Sequence, residues 1–260
     1  MVLRSTRVVT PEGVRAVEVV LAGERICELR EPGASLVPGV PVVDLGDDVL
    51  MPALIDVHVH IDDPPPALGG TAWEGFASAT RAAAAGGIAL LVDMPLNSEP
   101  VTTTVEALAA KLRAARERSR VDVAFYAGIV PANANDRRVL ADLSLAGVAA
   151  FKCFLCDSGL ASFPPVDRAD LRAAMRHLAG LGRRLLVHAE LFDSYSSMAP
   201  ASRRYADYLA SRPPGAELAA IELVVELARE TGCAVHVVHL AAAAALPLLE
   251  SAAAAARWTT

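Results

Sequence analysis

No apolar run in this sequence approaches the roughly 18 residues that a membrane-spanning helix needs. The longest, Ala82 to Val92, contains two glycines and ends at Asp93. The first ten residues carry Arg4 and Arg7 and lack the apolar core of a signal peptide. Cysteine is sparse: Cys27, Cys153, Cys156 and Cys233 show no disulfide framework, so a reducing, cytoplasmic compartment is expected. Charged residues make up only 21 % against 53 % hydrophobic, which gives ample core-forming surface and excludes disorder. The net charge of −6 and a pI near 5.5 leave no basic footprint for nucleic acid. Scarcest of all is lysine. Of the 24 basic residues, only Lys111 and Lys152 are not arginine.

The first fifty residues read as short strands and turns. Val14 to Leu21, Arg25 to Leu29 and Val40 to Leu45 are β-rich, and Pro11-Glu12-Gly13, Gly23-Glu24 and Pro32-Gly33 punctuate them. From Leu50 the rhythm becomes strand then helix. Strands are expected at Leu50–Ile61, Ile88–Met94, Val121–Val130, Val148–Leu155, Arg184–Ala189 and Cys233–Leu240. Helices are expected at Trp73–Ala85, Thr104–Arg118 with Thr102 and Thr103 as caps, Asp167–Leu181, Glu217–Thr231 and Ala241–Arg257. Apolar strands alternating with helices predict a parallel sheet covered on both faces. No G-x-G-x-x-G follows the first strand, which argues against a dinucleotide-binding sheet. The expected fold is therefore α/β, a partial TIM (β/α)8 barrel of about six units over residues 50–260. A small β module over residues 1–49 precedes it.

The chemistry gathers at the C-terminal ends of the expected strands. In Asp56-Val57-His58-Val59-His60 the three polar residues share one face, and two imidazoles two residues apart converge on a point that suits a divalent metal. Lys152 sits in the apolar run Phe151-Lys152-Cys153-Phe154, where an unpaired charge is costly. A lysine amine can take up CO2 and become a carbamate that bridges metals, which arginine cannot do. A lysine snorkelling from a strand end is the plain alternative. His188 ends the fifth strand. His236 and His239 are three apart, so they face opposite ways on a strand. The later lies nearer the strand's C-terminal end, which assigns His239 to the site and His236 to packing. The pair Cys153-x-x-Cys156 lies along a strand with no second pair and reads as structural.

The segments Trp73 to Gly87, Val92-Asp93-Met94-Pro95-Leu96-Asn97-Ser98 and Phe151-Lys152-Cys153-Phe154-Leu155 resemble the allantoinases, cyclic amidohydrolases of the amidohydrolase superfamily. The resemblance implies that His58 and His60 bind one metal and that His188 and His239 bind another. It implies a carbamate on Lys152 as the bridging, catalytic ligand. Two divalent ions, expected to be zinc, would serve as cofactors. The implied reaction is hydrolysis of the hydantoin ring of allantoin to open-chain allantoate. The implied partners are this small molecule and identical subunits in a homotetramer, with no nucleic acid and no membrane. Asp62, Asn97 and Cys153 become candidates for substrate contact. The β module is expected to be part of a composite β-sandwich.

Departures from the family pattern bear on activity. The family usually has Asn-Glu-Pro-Gly-Arg-Thr before the tryptophan, whereas Asp62 to Ala72 is longer here and lacks the arginine. No seventh or eighth strand is expected after His239, and the family's aspartate at the eighth strand end has no counterpart. The chain is thus expected to be a truncated allantoinase whose own activity is in doubt. Two alternatives stay open. One is a non-catalytic amidohydrolase-like remnant or interaction module. The other is a different cyclic amidohydrolase: a dihydropyrimidinase (hydantoinase) or a dihydroorotase.

Overall fold

A computed structural model describes residues 1–33, 39–64, 74–192 and 203–255. The chain divides into two units, Met1–Leu54 and Ile55–Thr260. The first is a sheet. Strands β1 (Val2–Thr10), β2 (Gly13–Ala22) and β3 (Arg25–Arg30) run antiparallel, while β4 (Val42–Asp44) and β5 (Val49–Leu50) lie parallel to β1. Gly13 at φ 119° and Gly23 at φ 59° make the two hairpin turns, where a Cβ would be strained. Because β5 pairs with β1, this unit reaches past the expected boundary at residue 49. Strand β1 escapes sequence reading. Its pairing with β2 shifts register between Ser5 and Val8, so the period-two pattern breaks within it. Val8, Val17 and Val19 form its core. Between the last two, Glu18 is buried but bonded to Arg4 at 2.6 Å and to Arg30 at 2.9 Å. Chiefly the Arg4 hydrogen bond holds its carboxyl below the ordinary range.

In the second unit strand and helix alternate, as expected. The elements are β6 (Leu54–Val59), α1 (Gly75–Ala85), β7 (Ile88–Asp93), α2 (Val105–Ala115), β8 (Asp122–Phe125), β9 (Ala127–Gly128), α3 (Arg137–Leu145), β10 (Phe151–Phe154), α4 (Arg168–Gly180), β11 (Leu185–His188), α5 (Tyr205–Ala210), α6 (Pro214–Thr231), β12 (Val235–Val237) and α7 (Leu246–Ala255). Two sheets result, ordered β6-β7-β8 and β9-β10-β11-β12, and the ladders β7–β8, β9–β10, β10–β11 and β11–β12 are parallel. They are continuous through Tyr126. Its N–H donates to Asp93 at 3.0 Å, while that of Ala127 donates to Ala150 at 3.0 Å. Six strand positions therefore follow one another in chain order, an incomplete barrel with no closure among the described residues.

Strand alternation sorts side chains into two layers. Phe151, Cys153, Leu185 and Val187 face the helices, together with Leu171, Met175, Ile221 and Val224. Ala150, Phe154, Leu186 and Val238 face the interior. Phe76 of α1 meets Phe125 of β8 edge to face at 6.1 Å, a geometry that adds about 0.5–1.5 kcal/mol to its burial.

The helix ends correct some expectations. Thr104, not Thr102 or Thr103, caps α2, its hydroxyl accepting from Ala107 N. The carbonyl of Thr102 instead accepts from Gly128 N, tying the loop to β9. Asp167 caps α4, and Gly232 at φ 73° ends α6. The alanine-rich segment starts as a 3₁₀ turn at Ala243–Ala245, after Glu217 accepts from the backbone N–H groups of Ala241 and Ala242. Helices α3 and α5 were not expected from the sequence. Trp73, the loop residues 65–72 and Arg257 lie outside the described residues.

Candidate metal centre

Four imidazoles and one amine meet at the C-terminal ends of the barrel strands. His58, on the inner face of β6, and His60, just past its end, have ring centroids 5.6 Å apart. Strand β12 stands at the opposite end of the strand order. Past Val237 the backbone turns, and His239 takes φ 36°. Its ring comes within 5.6 Å of His58 and 4.6 Å of His188. The sheet has curled far enough for its first and last strands to share one site.

Lys152, on β10 in register with Leu186 of β11, is 1 % exposed. Its Nζ has no hydrogen-bond partner among the described residues. The amine lies 4.6 Å from the Phe154 ring centroid, and Phe154 stacks on His188 at 4.5 Å. The structure thus brings His58, His60, Lys152, His188 and His239 together.

Burial sets the electrostatics. It pushes the imidazoles of His58 and His60 down to about 4, helped by the Lys152 charge for His58 and by His58 for His60. Burial also lowers His188 and His239. Neutral imidazoles carry the lone pair a metal needs. The same burial brings the Lys152 amine down to about 8. Roughly a tenth of it is then uncharged at pH 7, the form that can react with CO2. An unsatisfied buried amine among neutral imidazoles fits a divalent metal pair held partly by a lysine carbamate.

Two placements correct the sequence reading. His236 is not packed in the core. It is exposed on β12, opposite Leu186, and lines a cavity of about 430 Å³ with His58, Tyr126 and Arg184. The alternation argument needed a strand reaching His239, but β12 ends at Val237 and the turn redirects the later ring. Cys153 cannot touch substrate beside Lys152. It lies on the opposite face of β10, fully buried against the helices, and burial pushes its thiol up to about 12. Asn97, at φ 65°, sets its amide 3.4 Å from His60 Nδ1. Asp62, at φ 60°, is half-buried beside it, with its carboxyl raised by burial.

The sequence reading gave no role in the site to three groups. Glu190 Oε2 lies 2.7 Å from His188 Nε2, placing a carboxylate where it can orient the imidazole. Cys156 Sγ lies 3.8 Å from the same oxygen. Beneath His60, Asp93 accepts from Ile61 N at 2.9 Å and from Lys111 Nζ at 2.7 Å, both side chains 1 % exposed. The clue was Lys111 itself, one of the chain's two lysines, set in an apolar helix face.

Relatives share this arrangement of elements. The chain is 48 % identical to an allantoinase of Streptomyces avermitilis, over 97 % of this chain and 55 % of the relative. It is 41 % identical to a mitochondrial allantoinase of Aquarana catesbeiana, over 96 % and 51 %. The chain spans about half the length of the curated relatives it matches. Among solved structures, an L-hydantoinase (dihydropyrimidinase) from Arthrobacter aurescens superposes with a TM-score of 0.85 at 26 % identity, covering 98 % of this chain and 56 % of that one. A D-hydantoinase from Bacillus sp. AR9 superposes at 0.82 and 27 %, covering 96 % and 54 %. The dihydro-orotase-like family model matches residues 47–244, the stretch that carries all five converging side chains, and the chain belongs to that family.

Proposed function

We propose that this chain carries the metal-binding half of an allantoinase, which opens the hydantoin ring of allantoin to give allantoate. The observation that carries this reading is the partnerless Lys152 amine, buried among four imidazoles kept neutral by burial. His58 and His60 would hold one divalent ion and His188 and His239 a second, both expected to be zinc. Lys152 would join them as a carbamate: the neutral amine adds to CO2 and releases one proton. Bound there, two divalent ions would lower the pKa of a water and polarise the ring carbonyl. The chain's own residues supply the frame. Glu190 orients His188, Phe154 shields the Lys152 stem, and Asp62 and Asn97 border the His60 side, where substrate would lie. The allantoinase names of the relatives support allantoin over other cyclic amides.

The same reading places the protein in the cytoplasm as a homotetramer. All four cysteines are free, and no helix among the described residues is long and apolar enough to cross a membrane. The resemblance to hydantoinase structures favours a second reading, ring opening of a dihydropyrimidine.

The test loads the purified chain with zinc and bicarbonate, counts bound metal, and offers allantoin, dihydrouracil and dihydroorotate in turn. Two equivalents of zinc is the expected result, and any ring opening that this half supports should fall on allantoin alone. Opening of dihydrouracil or dihydroorotate alone would give the function to another cyclic amidohydrolase. Absence of bound metal would leave a non-catalytic interaction module.

A further inference from the structure

Cys156 follows the end of β10, half-buried, and has no part in the two metal positions proposed above. Its Sγ is 3.8 Å from Glu190 Oε2, and that oxygen is 2.7 Å from His188 Nε2. The three donor atoms all lie within 4.8 Å of one another, and none of the three side chains is fully buried. Thiolate, imidazole and carboxylate are together a donor set for zinc and its softer relatives. Bonds of about 2.0–2.3 Å to such an ion put tetrahedral donors about 3.3–3.7 Å apart. The sulfur–oxygen separation is already close to that. The nitrogen–oxygen pair would open slightly, leaving a fourth position to water. Access exists, because His188 and Glu190 line a cavity of about 240 Å³ shared with Tyr208 and Arg212.

We propose that Cys156, His188 and Glu190 form a binding site for one thiophilic divalent cation, a position that shares His188 with the ion pair around Lys152 and excludes it when filled. The sharing rests on the function proposed above, but binding at the trio does not require that function. When the ion binds, a metal–sulfur bond replaces the S–H bond and the proton leaves to solvent, with no change of oxidation state. Occupancy would draw His188 away from its other role, so excess zinc would compete with the working site.

Cadmium chloride serves as the probe, titrated into the purified chain in a Cys27→Ser background that removes the exposed thiol. Thiolate-to-cadmium absorption is the readout. Cys153 and Cys233, both buried, contribute nothing to it. One equivalent of cadmium should bring up the band. Cys156→Ser should abolish it, and Glu190→Gln, which removes a ligand charge, should weaken binding by at least about 10-fold, the lower bound even for an outer-shell partner. The double variant His60→Ala, Lys152→Ala should keep it. A band unchanged in Cys156→Ser, an unchanged affinity in Glu190→Gln, or a band lost with His60 and Lys152 would overturn the proposal. Because the readout is independent of ring opening, failure of this site and failure of the allantoinase reading are told apart.

Discussion

The two lysines of this chain are equally hidden, each 1 % exposed, yet their surroundings are opposites. Lys111 reaches from α2 to Asp93 at 2.7 Å and to the Met94 carbonyl at 2.8 Å, and the other Asp93 oxygen takes the Ile61 N–H. Every charge there has an answer. Among the described residues Lys152 has no hydrogen-bond partner, only the face of Phe154. Burial alone therefore does not mark a reactive lysine. The absence of a partner does, because an unanswered buried amine costs free energy that nothing local returns. Lys111 ties strand ends together, and Lys152 is tied to nothing comparable among the described residues.

The sharpest way to break this contrast is Lys152→Arg. Arginine keeps the charge but cannot form a carbamate, so we expect loss of paired zinc. Any ring-opening rate should fall by at least about 10³-fold, within the range set by losing one essential group. Retention of two zinc equivalents and activity would remove the carbamate from the account. Next in size is Lys111→Met, which strands the Asp93 carboxylate. Urea unfolding of the metal-free chain should report a loss of about 3–5 kcal/mol.

The third prediction concerns pH. The Lys152 amine has a folded-state pKa of about 8, below its ordinary 10.5. Between those values the unfolded chain binds more protons than the folded one, so stability rises with pH. The gain should total roughly 3 kcal/mol from pH 8 to 10.5, absent below that window and complete above it. Urea midpoints in chelator should show this rise in the wild type and lack it in Lys152→Met. The smallest effect is that of Lys152→Met itself at pH 7. Replacing an unanswered amine by a thioether should stabilise the chain by about 1–3 kcal/mol. A loss as large as that of Lys111→Met would mean that the two lysines are structural alike.

Much of this was legible in sequence. The alternation His58-Val59-His60 placed two imidazoles together, and near-continuous apolar strands announced a parallel sheet covered by helices. Cys153 was misread although alternation already put it opposite Lys152; the motif outweighed the geometry. His236 and His239 were assigned by a rule that holds only inside a strand. The Glu190–His188 contact needs only two residues of separation, but no sequence pattern says that the chain after β11 folds the carboxylate back. Asp93 and Lys111 lie on different elements, and only packing of α2 over β7 makes them a pair.

What the sequence determined by itself was the candidate histidines and lysine and, within a strand, the faces they occupy, because side-chain alternation along a strand is a local property of the backbone. What only the tertiary structure decided was convergence. Curling of the six strand positions brings β12 back beside β6, and the left-handed turn at His239 aims its ring at His188 and His58. The interior burial that follows takes Lys152 out of water and partly desolvates the histidines. That loss of solvation, a property of the whole fold and of no single segment, favours the neutral amine and neutral imidazoles that the proposed metal centre requires.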